Sequence, residues 1–301
     1  MTGPLDGFKI LDLTQVVSGP LATMLLADQG ADVLKVEPVD GLGDMTRLPS
    51  FDKGGIGAFY MNNNRGKNSL SLDLSKEEGV EIIRELAKST DVFVQNFRPG
   101  AIDRMGLSYE QLSAINPNLI YVSISGFGPT GPYSNRPVLD PVIQGICGVI
   151  SRQLNPQIPF PDLVRNLYAD KSTALTVAQA TTAALLARER TGAGQHVEIP
   201  MVDACMYFFW PDGMMDLTMV DDDANGGILL SSVYNLTECS DGKIVYFAAS
   251  DKQRAGVCAA VGHPEWGEDE RFSSMAALAA NPENFVLLGE MLAGAFLEMN
   301  C

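Results

Sequence analysis

The sequence predicts an α/β fold: an open, mostly parallel, Rossmann-like sheet with helices on both faces, followed by a second, smaller α+β domain. Three observations predict it. Short apolar strands alternate with helical stretches from residue 8 to about residue 209, and parallel strands need such crossovers to bring the chain back along the sheet. The first strand, turn, helix and strand fit within residues 8 to 37 as one βαβ unit. Beyond residue 211 the composition changes, with acid and glycine replacing the apolar pattern, which marks a connection into another domain.

Taken in order, Phe8-Lys9-Ile10-Leu11-Asp12-Leu13 reads as the first strand. Ser18-Gly19-Pro20 then turns into a helix over Leu21 to Gln29, and Ala31 to Glu37 is the second strand. Ser69 to Leu74, Val92 to Val94 and Leu119 to Ser125 read as further strands, and Lys76 to Ser89 as an amphipathic helix. Residues 171 to 190, rich in Ala, Leu and Thr, form a long helix whose last turn is completed by Arg188 and Arg190 before Gly192. A strand over His196 to Ile199 and a helix around Met201 to Phe209 close the large domain. The predicted organisation is residues 1–210 as a large α/β domain, 211–230 as a linker with the acidic run Asp221-Asp222-Asp223, and 231–301 as a small domain. That small domain opens with a hairpin of Val233 to Thr237 and Ile244 to Ala248 about Ser240-Asp241-Gly242.

Composition narrows the function. The chain has 301 residues, 46% apolar, and a net charge of −16. Residues 201–301 hold 4 basic and 16 acidic side chains, leaving 17 and 21 in the first 200. That balance excludes nucleic acid as a partner, and leaves the first 200 residues to hold any small polyanion. Five cysteines without a CxxC and two histidines without ligand spacing predict neither a structural zinc nor disulfides. No signal segment precedes the first strand and no apolar run reaches membrane-spanning length, so a cytoplasmic protein with no membrane partner is expected.

Few motifs carry chemistry alone. Gly126-Phe127-Gly128-Pro129-Thr130-Gly131 has the letters of a dinucleotide loop, but Pro129 and Pro132 oppose a helix opening from it. It reads as a rigid turn. Arg65-Gly66-Lys67, Arg98-Pro99-Gly100 and Arg104 place basic groups around strand ends, where open α/β sheets bind ligands; as chemistry alone they read as a solvated basic rim. Asn96-Phe97-Arg98 adds an amide, an aromatic ring and a guanidinium able to hold a nucleotide. Asp170 precedes the long helix, where it reads either as an N-cap or as a nucleophile kept ionised by the helix N-terminus. His196 and His263 read as structural, and no GxSxG is present.

Several segments in order then resemble a known family. Leu11-Asp12-Leu13-Thr14, Ser18-Gly19-Pro20, Leu26 to Pro38, Gly43-Asp44-Met45-Thr46-Arg47, Asn64-Arg65-Gly66-Lys67, Leu72-Asp73-Leu74, Asn96-Phe97-Arg98-Pro99-Gly100, Gly126-Phe127-Gly128 and Thr191 to Val197 are similar to class III coenzyme A transferases. This is the CaiB/BaiF type, which includes formyl-CoA and carnitine-CoA transferases and α-methylacyl-CoA racemases. The resemblance implies transfer of CoA from an acyl-CoA donor to a carboxylic acid acceptor, with CoA as co-substrate and no metal or redox cofactor. It implies Asp170 as nucleophile, passing through an aspartyl anhydride and an aspartyl-CoA thioester. It also implies a CoA site lined by Leu72, Asp73, Leu74, Ser75, Asn96, Phe97, Arg98, Arg104 and Met105.

The chain departs from the family at Val17, where other members carry Gln, and at Pro137, where they carry Lys. The racemase branch places a His where this chain has Leu139, so a 2-methylacyl-CoA racemase is the second expectation and a non-catalytic CoA-binding member the third. Family members run on for about another hundred residues that return to the large domain and interlock two subunits. The chain is therefore expected to be either shortened or an unusual member, and to form a homodimer burying more than about 2,000 Å².

Overall fold

Alternation along the strands builds two apolar faces at once. Ile10, Val92, Val94, Ile120, Val122 and Ile124 point into one core, while Leu11, Phe93 and Tyr121 point into another, because successive strand residues face opposite sides. Buried on both sides, such strands are the kind that parallel sheets require.

The computed structural model describes residues 3–48, 51–153, 160–220, 230–234 and 236–301. The first compact unit, Met1–Gly227, runs β1 (Lys9–Asp12), α1 (Ser18–Asp28), β2 (Asp32–Pro38), a short hairpin β3 (Asp52–Lys53) and β4 (Ile56–Gly57), then α2 (Ala58–Asn64) and β5 (Asn68–Leu72). It continues through α3 (Glu77–Ala87), β6 (Val92–Gln95), α4 (Ala101–Arg104), α5 (Tyr109–Ile115) and β7 (Ile120–Ser125). It closes with α6 (Asp140–Ile146), α7 (Val149–Arg152), α8 (Tyr168–Thr191), β8 (Gln195–Pro200), α9 (Met201–Gly213) and α10 (Met215–Thr218).

Six strands form one sheet in the order β5-β2-β1-β6-β7-β8, and every neighbouring pair is parallel. From β1 the chain winds outward through β2 to β5, then restarts on the other side of β1 with β6. The winding reverses between β1 and β6, and in open α/β sheets the crevice beyond the carboxyl ends of the strands at such a point is where ligands bind.

Helices α1, α6, α7, α8 and α9 pack on one face through Ala22, Leu26, Ile143, Val149, Val177, Leu185 and Met201. Helices α3, α4 and α5 cover the other through Val80, Ile83, Ile102 and Leu112. Helix α8 buries Ala169, Asp170, Thr173, Ala174, Val177, Ala178, Thr181, Ala184 and Leu185, a stripe at spacings of three and four. It ends at Gly192, whose φ of 71° suits a residue without a β carbon.

The second unit, Ile228–Cys301, pairs β9 (Thr237–Glu238) with β10 (Lys243–Ile244) antiparallel. Helices α11 (Asp251–Ala260), α12 (Pro264–Glu268), α13 (Met275–Ala280) and α14 (Pro282–Leu297) follow, and the unit has its own core of Cys258, Phe272, Leu288, Leu292 and Phe296.

Three expectations are corrected. Helix α8 starts three residues earlier than expected, at Tyr168. Pairing in the hairpin begins at Glu238 and Lys243, beside the turn that the Cys239 N–H closes on the Gly242 carbonyl at 2.9 Å. Residues 211–213 and 215–218 are helical, and Asp221-Asp222-Asp223 lies outside the described residues. Among the described residues no helix is long and apolar enough to cross a membrane, and no group of three or more His, Cys, Asp or Glu is placed to hold a metal.

Candidate active site

Leu167 caps α8, so Asp170 stands third in its first turn and is not the N-cap. Its backbone N–H is one of the donors a helix start leaves without an internal partner; it donates to Asp140 Oδ2 at 2.9 Å. Asp140 opens α6 and is buried. Its other oxygen accepts from Gln144 Nε2. Gln144 in turn accepts from the Val164 N–H at 2.9 Å and donates to the Asn166 carbonyl at 3.2 Å. The start of α8 is thereby fastened to α6.

The Asp170 carboxylate is itself nearly buried, and Ser18, at the start of α1, stands beside it and favours its charged form. Burial, then the charge of Asp140, push its pKa up to about 6, against the pull of the polar groups of Ser18. The helix N-terminus alone would have kept it in the ordinary carboxylate range, so here desolvation wins. A carboxylate of this kind is ionised at neutral pH yet shielded from water, which suits a nucleophile.

Ser18 is placed by the loop Leu13 to Val17 that leaves β1 at the point of reversal. Beneath it lies a buried charge cluster. Asp12 accepts from the Thr23 hydroxyl at 2.6 Å and from the Thr14 N–H and Lys67 Nζ at 2.9 Å each. Burial would raise its pKa, but Lys67, Lys35 and the two threonine hydroxyls hold it well below the usual carboxylate range. Lys35 Nζ lies 3.0 Å from Asp44 Oδ2, both fully buried. Glu37 accepts from Arg47 through two nitrogens at 2.7 Å and from Ser69 at 2.7 Å; these bonds overcome burial and bring its pKa down to about 2.

The remaining sequence candidates lie mostly on the other face. Leu72, Leu74, Phe97 and Met105 pack together against the core beneath α3 and α4. Asp73 accepts from the Ser75 N–H at 3.0 Å and its hydroxyl at 2.6 Å, a tight turn at the end of β5. Arg98 and Arg104 are exposed, and neither makes an ion pair among the described residues. Asn96 links the faces: its side chain accepts from the Gln15 N–H at 2.9 Å and donates to the Gln15 carbonyl at 2.8 Å. Thus one short loop is tied to the Asn96 segment and leads directly into Ser18, the residue beside Asp170.

The profile of CoA-transferase family III matches residues 5–298. The chain belongs to that family. It is 35% identical over 272 residues to acetyl-CoA:oxalate CoA-transferase of Acetobacter aceti, covering 90% of this chain and 70% of that one. It is 34% identical over 287 residues to succinate–glutarate CoA-transferase of Agrobacterium fabrum, covering 92% and 71%. The crystal structure of a CaiB/BaiF family protein from Brucella suis superposes with a TM-score of 0.81 at 34% identity, covering 100% of this chain and 80% of that one. This family III chain is a CoA-transferase enzyme.

Not every residue expected at the rim lies there. Lys67 is turned inward with its side chain almost fully buried against Asp12, whereas Arg65 pairs with Asp28 at the surface. His196 is held by Ser123 at 2.8 Å and stacks on Tyr109, a packing role. Gly126 meets Val138 and the turn to Gly131 opens no helix. Leu139 is exposed and Val17 buried. Reasoning from sequence gave no role to Lys35, Asp44 or Asp140. A signal was present, since a Lys between Leu34 and Val36 in a parallel strand must be paired to be buried.

The raised Asp170 pKa carries a stability cost. Folded at about 6 against 3.8 unfolded, the carboxyl binds more protons in the fold than out of it across that window, so stability falls as pH rises through it. Above pH 6 the cost is on the order of 3 kcal/mol. Asp170→Asn is therefore expected to be more stable than the wild type at pH 7.5, by about 1–3 kcal/mol, with the gap closing toward pH 4. Urea unfolding at both pH values checks this; an Asn variant less stable at pH 7.5 contradicts it.

Proposed function

We propose that this chain transfers coenzyme A between an acyl-CoA thioester and a free carboxylic acid through covalent intermediates on Asp170. The observation that carries the proposal is the Asp170 carboxylate, buried at the start of α8 with its pKa raised to about 6 by that burial and by the charge of Asp140. The residue is anchored through its own backbone N–H to Asp140. In the first step an Asp170 oxygen attacks the thioester carbonyl, the C–S bond breaks, and CoA thiolate leaves from an aspartyl acyl anhydride. The thiolate then attacks the Asp170 carbonyl carbon, breaking its bond to the bridging oxygen, which leaves with the donor acid, and forming an aspartyl-CoA thioester. The acceptor carboxylate attacks that thioester and frees the thiolate, which attacks the acceptor carbonyl of the new anhydride. The products are the new acyl-CoA and free Asp170. Each step exchanges one activated acyl bond for another, and burial of Asp170 keeps water from the anhydride.

In this reading residues 1–210 bind CoA and residues 231–301 form the small domain. The CoA moiety lies along Leu72 to Ser75 and Asn96 to Arg98, with adenine against the backbone of residues 72–75, Phe97 and Met105 beside it, and Arg98 and Arg104 meeting phosphates. Exposure of both guanidiniums without an ion pair among the described residues supports that role. The acceptors named for the relatives are carboxylic acids, so oxalate, succinate and glutarate are the first to test.

One assay tests the reading against racemisation: a chiral 2-methylacyl-CoA with these acids in deuterated water, read by mass. New acyl-CoA without deuterium at the α carbon is expected, because Leu139 cannot move a proton. Enzyme-dependent deuterium incorporation without CoA transfer would place the chain among the racemases.

A homodimer completes the proposal. Tyr207, Phe208 and Trp210 on α9 are exposed, apolar surface of the kind that a subunit interface covers. Light scattering across a dilution series, with exchange followed in parallel, is expected to show a dimer whose activity falls as it dissociates. An active monomer would contradict this.

A further inference from the structure

We propose that Asp44 and Lys35 are positioning residues for the nucleophile, holding a left-handed turn at Val16 that aims Ser18 at the Asp170 carboxylate. The inference rests on the reading of Asp170 as the nucleophile and names what holds it in register.

Val16 has a φ of 73°. A β-branched residue is poorly suited to that region, where the strain is on the order of 1–3 kcal/mol and persists only if the surroundings over-determine it. They do so here. Lys35 Nζ donates to the Thr14 carbonyl at 2.7 Å, Asn96 takes both backbone groups of Gln15, and the Val16 N–H points at the Asp44 carboxylate at 3.3 and 3.4 Å. Three consecutive residues are thus gripped by side chains from three different segments.

Asp44 is itself fixed. Its Oδ1 accepts from the Thr46 N–H at 2.9 Å and the Thr46 hydroxyl at 2.8 Å. Its own N–H donates to Glu37 Oε2 at 3.1 Å, and its Oδ2 faces Lys35. Immediately after the turn, Val17 caps α1 and Ser18 is its first residue, the residue beside Asp170 that favours its charged form. A fully buried ion pair is a weak device for stability, since desolvation offsets most of its attraction. It is a strong device for fixing one backbone geometry, and here that geometry decides where Ser18 stands against the reacting carboxylate. A displacement of about 1 Å at such a point costs on the order of 100-fold in rate.

The test is a double-mutant cycle read in kcat, KM and pH profile. Asp44→Asn is expected to lower kcat for CoA exchange by at least about 10-fold with KM for acyl-CoA within about threefold. The acid limb of kcat should move upward as Ser18 is displaced from the Asp170 carboxylate whose charged form it favours. In a Val16→Gly background the same substitution should cost less than about a third as much, because glycine adopts the turn without being held. Val16→Gly alone should raise the melting temperature by relieving strain.

A folded Asp44→Asn with wild-type kcat and acid limb, in a protein that Asp170→Ala inactivates, would overturn the positioning role and leave the nucleophile standing. An Asp170→Ala variant that still exchanges CoA would overturn both. If Asp44→Asn does not fold, Val16→Gly decides: a lower melting temperature would show that the turn is not strained and would overturn the proposal.

Discussion

Asp170→Ala is expected to abolish CoA exchange, lowering kcat by about 10,000-fold or more, while acyl-CoA binding stays within a few-fold of the wild type. The size follows from the role. A nucleophile that forms both covalent intermediates has no substitute nearby, because Asp140 spends one oxygen on the Asp170 N–H and the other on Gln144. Asp170→Asn is expected to be nearly as damaging: its amide matches the carboxylate in shape, but it is a poor nucleophile. Exchange read by mass and binding read by calorimetry separate the two effects. Turnover at the wild-type rate in either variant contradicts the mechanism.

The second large effect is on stability. Lys67→Met is expected to destabilise the fold by about 3–5 kcal/mol, because Asp12 then keeps a fully buried charge with one fewer counter-ion. The double variant Lys67→Met with Asp12→Leu should recover part of that loss, since a pair of apolar groups leaves no orphaned charge. The pH dependence has a definite sign. Asp12 has a depressed pKa, so the stability it contributes is present above its unfolded value of 3.8 and is lost as pH falls through the lower folded value. Urea unfolding of the single and double variants, near neutrality and in acid, measures each quantity. A single variant within about 1 kcal/mol of the wild type would show that the cluster is not coupled as its geometry implies.

The sheet was readable in the sequence because its strands are apolar runs bounded by turns, and each of the six lies within a residue or two of its expected place. The start of α8 was not. Asp is a favoured N-cap, and only the tertiary bond from the Asp170 N–H to Asp140, thirty residues earlier in the chain, shows that the helix begins at Tyr168. The hairpin of the small domain was legible in its turn but not in its extent, which depends on pairing that short-range pattern does not encode.

The charge cluster was hidden for a similar reason. Asp12, Lys35, Asp44 and Lys67 are separated in sequence and meet only because β1, β2 and β5 lie side by side. Lys67 illustrates the ambiguity, since Arg65-Gly66-Lys67 has the composition of a solvated rim, yet one of its cations is at the surface and the other in the interior. The raised pKa of Asp170 was likewise beyond sequence reading. A helix start argues for a low value, and only burial and the nearness of Asp140 reverse it.

The covalent role of Asp170 can be observed directly. Incubating the protein with acyl-CoA and hydroxylamine in the absence of an acceptor acid converts an aspartyl anhydride or thioester into a stable hydroxamate, which peptide mass spectrometry can place. Modification that requires acyl-CoA and maps to Asp170 is the result the mechanism predicts. Acyl-CoA-dependent modification at another carboxylate, or full exchange activity with Asp170 unmodified, would contradict it.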